Sequence, residues 1–314
     1  MSIIALTPRR ALATLALGIT LVHPVGAQSA RAGRAELVVT PEWLATHLAD
    51  PNLVLLHVGE KAEYDKAHIP GARLVAMQDV SVSSMDHEKG LMLELPNIDT
   101  LRAHLAALGI SDDSRVVVYY GNDWVSPSTR ILLTLDYAGL GERSALLDGG
   151  MNAWKAAGHE LTAQAPATKV GRLSPLKVHP VVVDFSYVSS RLKDPAFHLI
   201  DGRAAVFYDG IQMGMEPSRK GHIAGAHSIP YTEVTDDKLH LKPADQLAAL
   251  FAKAGVGPRD TVVAYCHIGQ QATAVLFAAR TLGHPVLLFD GSFQEWGRRT
   301  ELPVETTPAP SAKY

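Results

Sequence analysis

Ala67-His68-Ile69-Pro70-Gly71-Ala72 and Gly221-His222-Ile223-Ala224-Gly225-Ala226 are two versions of one turn, one in each half of the chain. Other segments align around them in the same order. Asn52-Leu53-Val54-Leu55-Leu56-His57-Val58-Gly59 precedes the first turn, and Ala196-Phe197-His198-Leu199-Ile200-Asp201-Gly202-Arg203 precedes the second. Each is a short apolar run ending in polar residues, as a strand buried on both faces requires. Residues 100–109 and 246–255 follow with helical spacing and a closing glycine, Gly109 and Gly255. Arg115-Val116-Val117-Val118-Tyr119-Tyr120 then matches Asp260-Thr261-Val262-Val263-Ala264-Tyr265 as a second buried strand. Leu147-Asp148-Gly149-Gly150 through Trp154 matches Phe289-Asp290-Gly291-Ser292 through Trp296. So many matches in one order define an internal repeat. Strands alternating with helices predict an α/β fold with a parallel sheet flanked by helices in each repeat.

Composition agrees with two such units. At about 150 residues per domain, 314 residues make roughly two domains. Hydrophobic residues are 47% and charged residues 19%, which suits a packed chain and excludes a disordered one. The net charge is -3 and no block of like charge stands out, so nucleic acid is not an expected partner. The stretch 163–180, rich in Pro, Ala and Lys, reads as a linker. It separates a domain at 36–162 from one at 181–305 and leaves a tail at 306–314.

The N-terminus reads as a signal peptide over residues 1–27. Arg9 and Arg10 precede the apolar run 11–22, and Val25 and Ala27 stand at the positions that signal peptidase reads. The run is short for a membrane span. The arginine pair is a weak hint of twin-arginine export. Cleavage would leave a chain without a membrane segment, in a bacterial periplasm or secreted. A single cysteine, Cys266, means that such an exported fold does not depend on disulfides.

Cys266 directly follows its strand, and Gly121 is read as its counterpart in the first half. After it come His267-Ile268-Gly269-Gln270-Gln271 and then a nearly all-apolar helix from Ala272. The thiol therefore sits at the carboxyl end of a parallel strand, where open α/β sheets bind ligands. Loop N–H groups and the helix N-terminus would surround the sulfur with positive potential and favour its thiolate. Gly269 can adopt the positive φ that a tight loop needs. The alternative is an inert core cysteine. A phosphatase or arsenate reductase of Cys-x5-Arg type would need an arginine where Ala272 stands. A cysteine peptidase would need a base, and a residue adjacent to the thiol on a tight loop, as His267 is, usually points away from it.

These residues together resemble the tandem-domain rhodanese family, sulfurtransferases of the thiosulfate and 3-mercaptopyruvate class. The resemblance covers residues 36–305 and rests on the two His-Ile turns, the loop from Cys266 to Gln271, and the Asp-Gly and Trp pairs. It implies two rhodanese-like domains, a non-catalytic first half and a catalytic second half. The family's Asp-x-Arg turn is present as Asp201-Gly202-Arg203, whereas the first half has His57-Val58-Gly59 in the same place. Implied with it are Cys266 as nucleophile and persulfide carrier, His267, Ile268, Gly269, Gln270 and Gln271 as the loop cradling the outer sulfur, and Arg203 as an anion binder. Arg203 could equally form a structural salt bridge with Asp201 or Glu216. The implied partners are a small-molecule sulfur donor and a thiophilic acceptor, cyanide or a thiol, with no metal and no organic cofactor.

The donor is less sharply encoded. The loop has neither the Cys-Gly-Ser-Gly pattern that goes with mercaptopyruvate nor the basic residues that go with thiosulfate, although His267 could carry part of a charge. Thiosulfate is the favoured reading. 3-Mercaptopyruvate, or a periplasmic persulfide carrier with slow turnover, are the alternatives. His68 and His222 read as turn-fixing residues, Trp154 and Trp296 as packing anchors, and the insertion 210–217 as a possible rim of the site.

Overall fold

The computed structural model describes residues 33–86, 90–121, 124–215 and 218–307. The expected signal peptide, most of the tail and Glu216 lie outside the described residues.

The first half holds the strands β1 (Val38–Val39), β2 (Leu53–Val58), β3 (Arg73–Val75), β4 (Arg115–Tyr120) and β5 (Ser144–Leu147). Its helices are α1 (Arg34–Leu37), α2 (Pro41–His47), α3 (Lys61–Tyr64), α4 (Ile98–Ala107), α5 (Ser126–Tyr137) and α6 (Gly150–Ala156). The second half continues with β6 (Val182–Val183), β7 (His198–Asp201), β8 (His222–Ile223), β9 (His227–Ser228), β10 (Val262–Tyr265), β11 (Val286–Phe289) and β12 (Val304–Glu305). Its helices are α7 (Phe185–Ser189), α8 (Ala205–Tyr208), α9 (Ala244–Lys253), α10 (Ala272–Thr281) and α11 (Ser292–Trp296). The two main sheets have strand orders β1-β5-β4-β2-β3 and β6-β11-β10-β7-β9, which is one topology used twice. Every pairing within them is parallel. β8 and β12 form a separate antiparallel pair.

The apolar runs are continuous because both faces of each sheet are covered. Along β10, Val262, Ala264 and Cys266 enter one cluster while Val263 and Tyr265 enter another. Along β4, Val116, Val118 and Tyr120 enter the first of these clusters, and Val117 and Tyr119 a third. The first cluster is common to both halves, reaching from Leu37 and Val54 to Val275 and Leu288. Each fully buried aliphatic side chain contributes roughly 1.5–3 kcal/mol to such a core. The helices α5 and α10 pack on their own sheets and on each other. Small residues on both, among them Ser126, Ser128, Ala272 and Ala274, permit a close approach, and the Thr129 and Thr273 hydroxyls meet at 2.8 Å.

Strand register corrects one sequence alignment. The Ile69 N–H donates to the Tyr119 hydroxyl at 3.0 Å, and the Ile223 N–H donates to the Tyr265 hydroxyl at 3.0 Å. Tyr119 is thus the counterpart of Tyr265, and Tyr120, not Gly121, stands where the second half has Cys266. Pairing of His57 with Tyr119 and of Asp201 with Tyr265 makes His57 the counterpart of Asp201. The Tyr119-Tyr120 dipeptide offers two registers in sequence, and the hydroxyl contact and the alternation of the buried clusters both separate them.

The recurring turns are built alike. The His68 ring stacks on Tyr64 at 3.9 Å with its Nδ1 against the Tyr64 carbonyl, and the His222 ring stacks on Tyr208 at 3.7 Å with its Nδ1 against the Tyr208 carbonyl. Both histidines therefore fix turns, as expected. Trp154 and Trp296 are buried anchors whose indole N–H groups donate to the carbonyls of Glu160 and Pro303.

Candidate active site

The site forms where β10 ends. Cys266 is fully buried on the face shared by the two halves. Its N–H donates to the Ser292 hydroxyl at 3.2 Å, and that hydroxyl donates to the Phe289 carbonyl at 2.9 Å. The carbonyls of Cys266 and His267 accept from the N–H groups of Phe293 and Gln294, at 3.0 and 2.9 Å. The start of α11 thus holds the first part of the loop.

Gly269 then reverses the chain at φ +77°, a conformation that disfavours a side chain. The loop runs directly into α10, whose first residue is Ala272. Among the described residues, no hydrogen-bond acceptor meets the backbone N–H groups from His267 to Gln271. Five successive free donors on a turn leading into a helix N-terminus form a concentration of positive partial charge beside the thiol. Sequence spacing anticipated this loop, and the structure brings all six of its residues together.

Arg203 lies on the adjacent strand end and is buried. Its Nε donates to Asp201 Oδ1 and Oδ2 at 3.0 and 3.1 Å, and Nη2 donates to Asp201 Oδ2 at 2.6 Å and to the Gly221 carbonyl at 2.7 Å. The guanidinium carbon sits 4.0 Å from the centre of the Phe293 ring. Burial works against its charge, but Asp201 more than restores it, and Arg203 is held above the usual arginine range. Its cation is within electrostatic reach of Cys266. Of the two possible acidic partners, Asp201 is the one that the structure shows.

His267 does not supply a cation near neutral pH. Burial first, and then the Arg203 charge, lower its pKa to about 4. Its ring stands edge-on to Phe207 at 4.7 Å. In the insertion, Gly214 approaches so closely that a Cβ there would come within 2.7 Å of the imidazole. Ile211, Met213 and Met215 of the same segment are exposed. The insertion therefore touches the loop, as its position between Arg203 and His222 suggested.

The corresponding place in the first half is filled differently. His57 is fully buried, and among the described residues neither of its ring nitrogens has a hydrogen-bond partner. Burial lowers its pKa to about 4 and keeps it neutral. A Cβ on Gly59, where the second half has Arg203, would lie 2.8 Å from His57 Nε2. The first half thus has neither the thiol nor the arginine–carboxylate pair.

One buried cation escaped the sequence reading. Arg130 of α5 is completely buried and reaches the second half. Its Nη1 donates to the Gly269 carbonyl at 3.0 Å and to Asp290 Oδ1, and its Nη2 donates to Asp290 Oδ2 at 3.3 Å and to the Leu93 carbonyl. The signal was an arginine inside Ser126–Asp136, a helical stretch with no room for an exposed face. Among the described residues no cluster of His, Cys, Asp and Glu is arranged to hold a metal, and no helix is long and apolar enough to cross a membrane.

The site thus joins a buried thiol at a strand end, a following loop whose amides meet no acceptor among the described residues, and a buried arginine on the adjacent strand end. The chain matches the rhodanese-like domain model twice, at residues 40–157 and 184–299. It is 31% identical over 280 residues to the 3-mercaptopyruvate sulfurtransferase of Escherichia coli strain K12, covering 85% of this chain and 97% of that protein. It is 29% identical over 273 residues to the thiosulfate sulfurtransferase of Azotobacter vinelandii, covering 86% and 97%. The crystal structure of SseA from Escherichia coli superposes with a TM-score of 0.71 at 28% identity, covering 81% of this chain and 98% of that one. The chain belongs to the rhodanese family, with two tandem domains. It is an enzyme of the sulfurtransferase class.

Proposed function

We propose that Cys266 transfers sulfane sulfur from thiosulfate to a thiophilic acceptor, cyanide or a thiol, through a persulfide. The Cys266 thiolate attacks the outer sulfur of thiosulfate. The S–S bond of the donor breaks, sulfite leaves with the electron pair, and the outer sulfur remains on Cys266 as an anionic persulfide. Cyanide then attacks that sulfur, leaving as thiocyanate and restoring the thiolate, so that the two half-reactions follow ping-pong kinetics. The observation that carries this reading is the run of N–H groups from His267 to Gln271 that meet no acceptor among the described residues. Donors preorganised around a developing anion are a dominant source of catalytic stabilisation. Arg203, fixed by Asp201, adds the charge that favours an anionic donor.

Thiosulfate is favoured over 3-mercaptopyruvate because no residue from His267 to Gln271 bears a hydroxyl. The nearby Ser292 hydroxyl is committed to Phe289 and to the Cys266 amide. The same reading has residues 1–27 removed on export and the mature protein working in the periplasm or outside the cell.

Mass spectrometry after thiosulfate treatment tests the chemistry: one added sulfur is expected on the Cys266 peptide, and none in Cys266→Ser. Sulfur transfer retained by the serine variant would overturn the mechanism. Steady-state comparison of the two donors is expected to give at least tenfold higher kcat/KM for thiosulfate, and the reverse ratio would replace the donor. Persulfide formation without turnover to cyanide or thiols would mark a carrier. A protein lacking residues 1–27 is expected to be soluble without detergent.

A further inference from the structure

We propose that Arg130 is a positioning residue for the sulfur-bearing loop, so that the half without a cysteine orients the chemistry of the half that has one. This rests on the reading of Cys266 as the sulfur carrier. Gly269 lies at the middle of the loop, and its carbonyl is drawn onto Arg130 Nη1 at 3.0 Å. A trans peptide directs its C=O and the next N–H to opposite sides. Holding the Gly269 carbonyl toward α5 therefore directs the Gln270 N–H the opposite way within the same peptide plane.

Asp290 makes the anchor stiff. It takes both terminal nitrogens of Arg130 and also accepts from the Leu95 N–H at 3.3 Å. A Cβ on Gly269 would come 2.7 Å from Asp290 Oδ1 and 3.0 Å from Arg130 Nη1, so the pair lies directly against the loop backbone. A planar guanidinium can hold the carbonyl and the carboxylate together, whereas the lysine ammonium is a single point of charge. Arg130 touches the loop through its backbone, and Asp290 immediately precedes the Gly291-Ser292 segment that holds the Cys266 amide. The segments that follow β10 and β11 are thus both tied to one side chain from the other half.

The test uses Arg130→Lys and the charge-neutral pair Arg130→Met with Asp290→Asn, the second because Arg130→Met alone strands a buried carboxylate. Three quantities are measured on the mature protein: melting temperature, kcat and KM for thiosulfate, and the pH midpoint for alkylation of Cys266 by iodoacetamide. In the double variant, kcat is expected to fall at least tenfold with KM changed less than threefold, and the alkylation midpoint to rise by at least half a pH unit. Arg130→Lys is expected to lie between that variant and the native protein. A double variant that stays folded with native kcat and a native alkylation midpoint would overturn the proposal. Alkylation needs no sulfur donor. A native protein inactive with thiosulfate but showing the expected midpoint shifts would therefore refute the donor and retain the role of Arg130.

Discussion

At the scale of single residues, the site depends on charges that burial has left little freedom. The Arg203–Asp201 pair is almost fully enclosed, with side chains 1% and 0% exposed. Removing one member of a buried pair typically costs about 3–5 kcal/mol because the other charge is left uncompensated. Arg203→Ala is therefore expected to lower the melting temperature by about 10 °C as well as raising KM for thiosulfate. A scan and a kinetic titration on one variant check both, and a native KM would confine Arg203 to a structural role. Glu94 gives a second expectation. Burial first, and then Asp290, raise its pKa to about 7 from 4.5, and its Oε1 has no hydrogen-bond partner among the described residues. The fold prefers its neutral form, so the stability it contributes is full below pH 4.5 and is lost as pH rises to about 7. Glu94→Gln is expected to match the native protein near pH 5 and to melt several degrees higher at pH 8, as thermal scans at both pH values would show. His57 and His267 work in the opposite direction, since neutral burial makes each a source of instability as pH falls from 6.5 to about 4. The strand ends that carry Cys266 and Asp201 were legible in sequence from their apolar runs, and the Asp201-Gly202-Arg203 turn from the family resemblance. Arg130 was not, because the loop carbonyl and the carboxylate that it holds are 139 and 160 positions away.

At the scale of elements, the loop from Cys266 to Gln271 is shaped by one conformation and two attachments. Gly269 combines a positive φ with contacts closer than any Cβ tolerates on its Asp290 side. Gly269→Ala is expected to reduce kcat at least tenfold while the far-UV spectrum stays native. Native activity in that variant would mean that the turn is not needed for sulfur transfer. Most elements were readable from hydrophobic pattern: β4 spans Arg115–Tyr120, as the sequence predicts, and α10 begins at Ala272. Register was not readable, because Tyr119 and Tyr120 are both aromatic and both buried. Which of them matches Tyr265 depends on a hydroxyl meeting the Ile69 N–H. That is a contact between distant segments, and local pattern carries no record of it.

At the scale of the whole molecule, the two halves exchange equivalent contacts. At one end of the interface the Leu95 N–H donates across to Asp290, while the neighbouring Leu93 carbonyl accepts from Arg130 of its own half. The segment around Leu239 and Leu241 meets Tyr120 and Asp148 at the other, with the Tyr120 hydroxyl donating to the Leu239 carbonyl at 2.7 Å and the Leu241 N–H to Asp148 at 2.8 Å. Leu93 and Leu239 both take positive φ, at 58° and 66°. With a core common to both halves, calorimetry is expected to show one unfolding transition, and two separated transitions would contradict the shared core. Tyr120→Phe is expected to cost about 1 kcal/mol with sulfur transfer unchanged.

The Arg130 contacts also bear on how the chain is made. Synthesis runs from the N-terminus, so α5 is complete long before Asp290 exists to receive its guanidinium, 160 residues later. Until then the Leu93 carbonyl is the partner that Arg130 has within its own half, and α10 is not yet there to pack on α5. Closure of the Arg130–Asp290 contact therefore waits for the last third of the polypeptide. Pairing over such a span slows folding. In exchange, the order of synthesis keeps Cys266 from its finished environment until the protein is nearly whole.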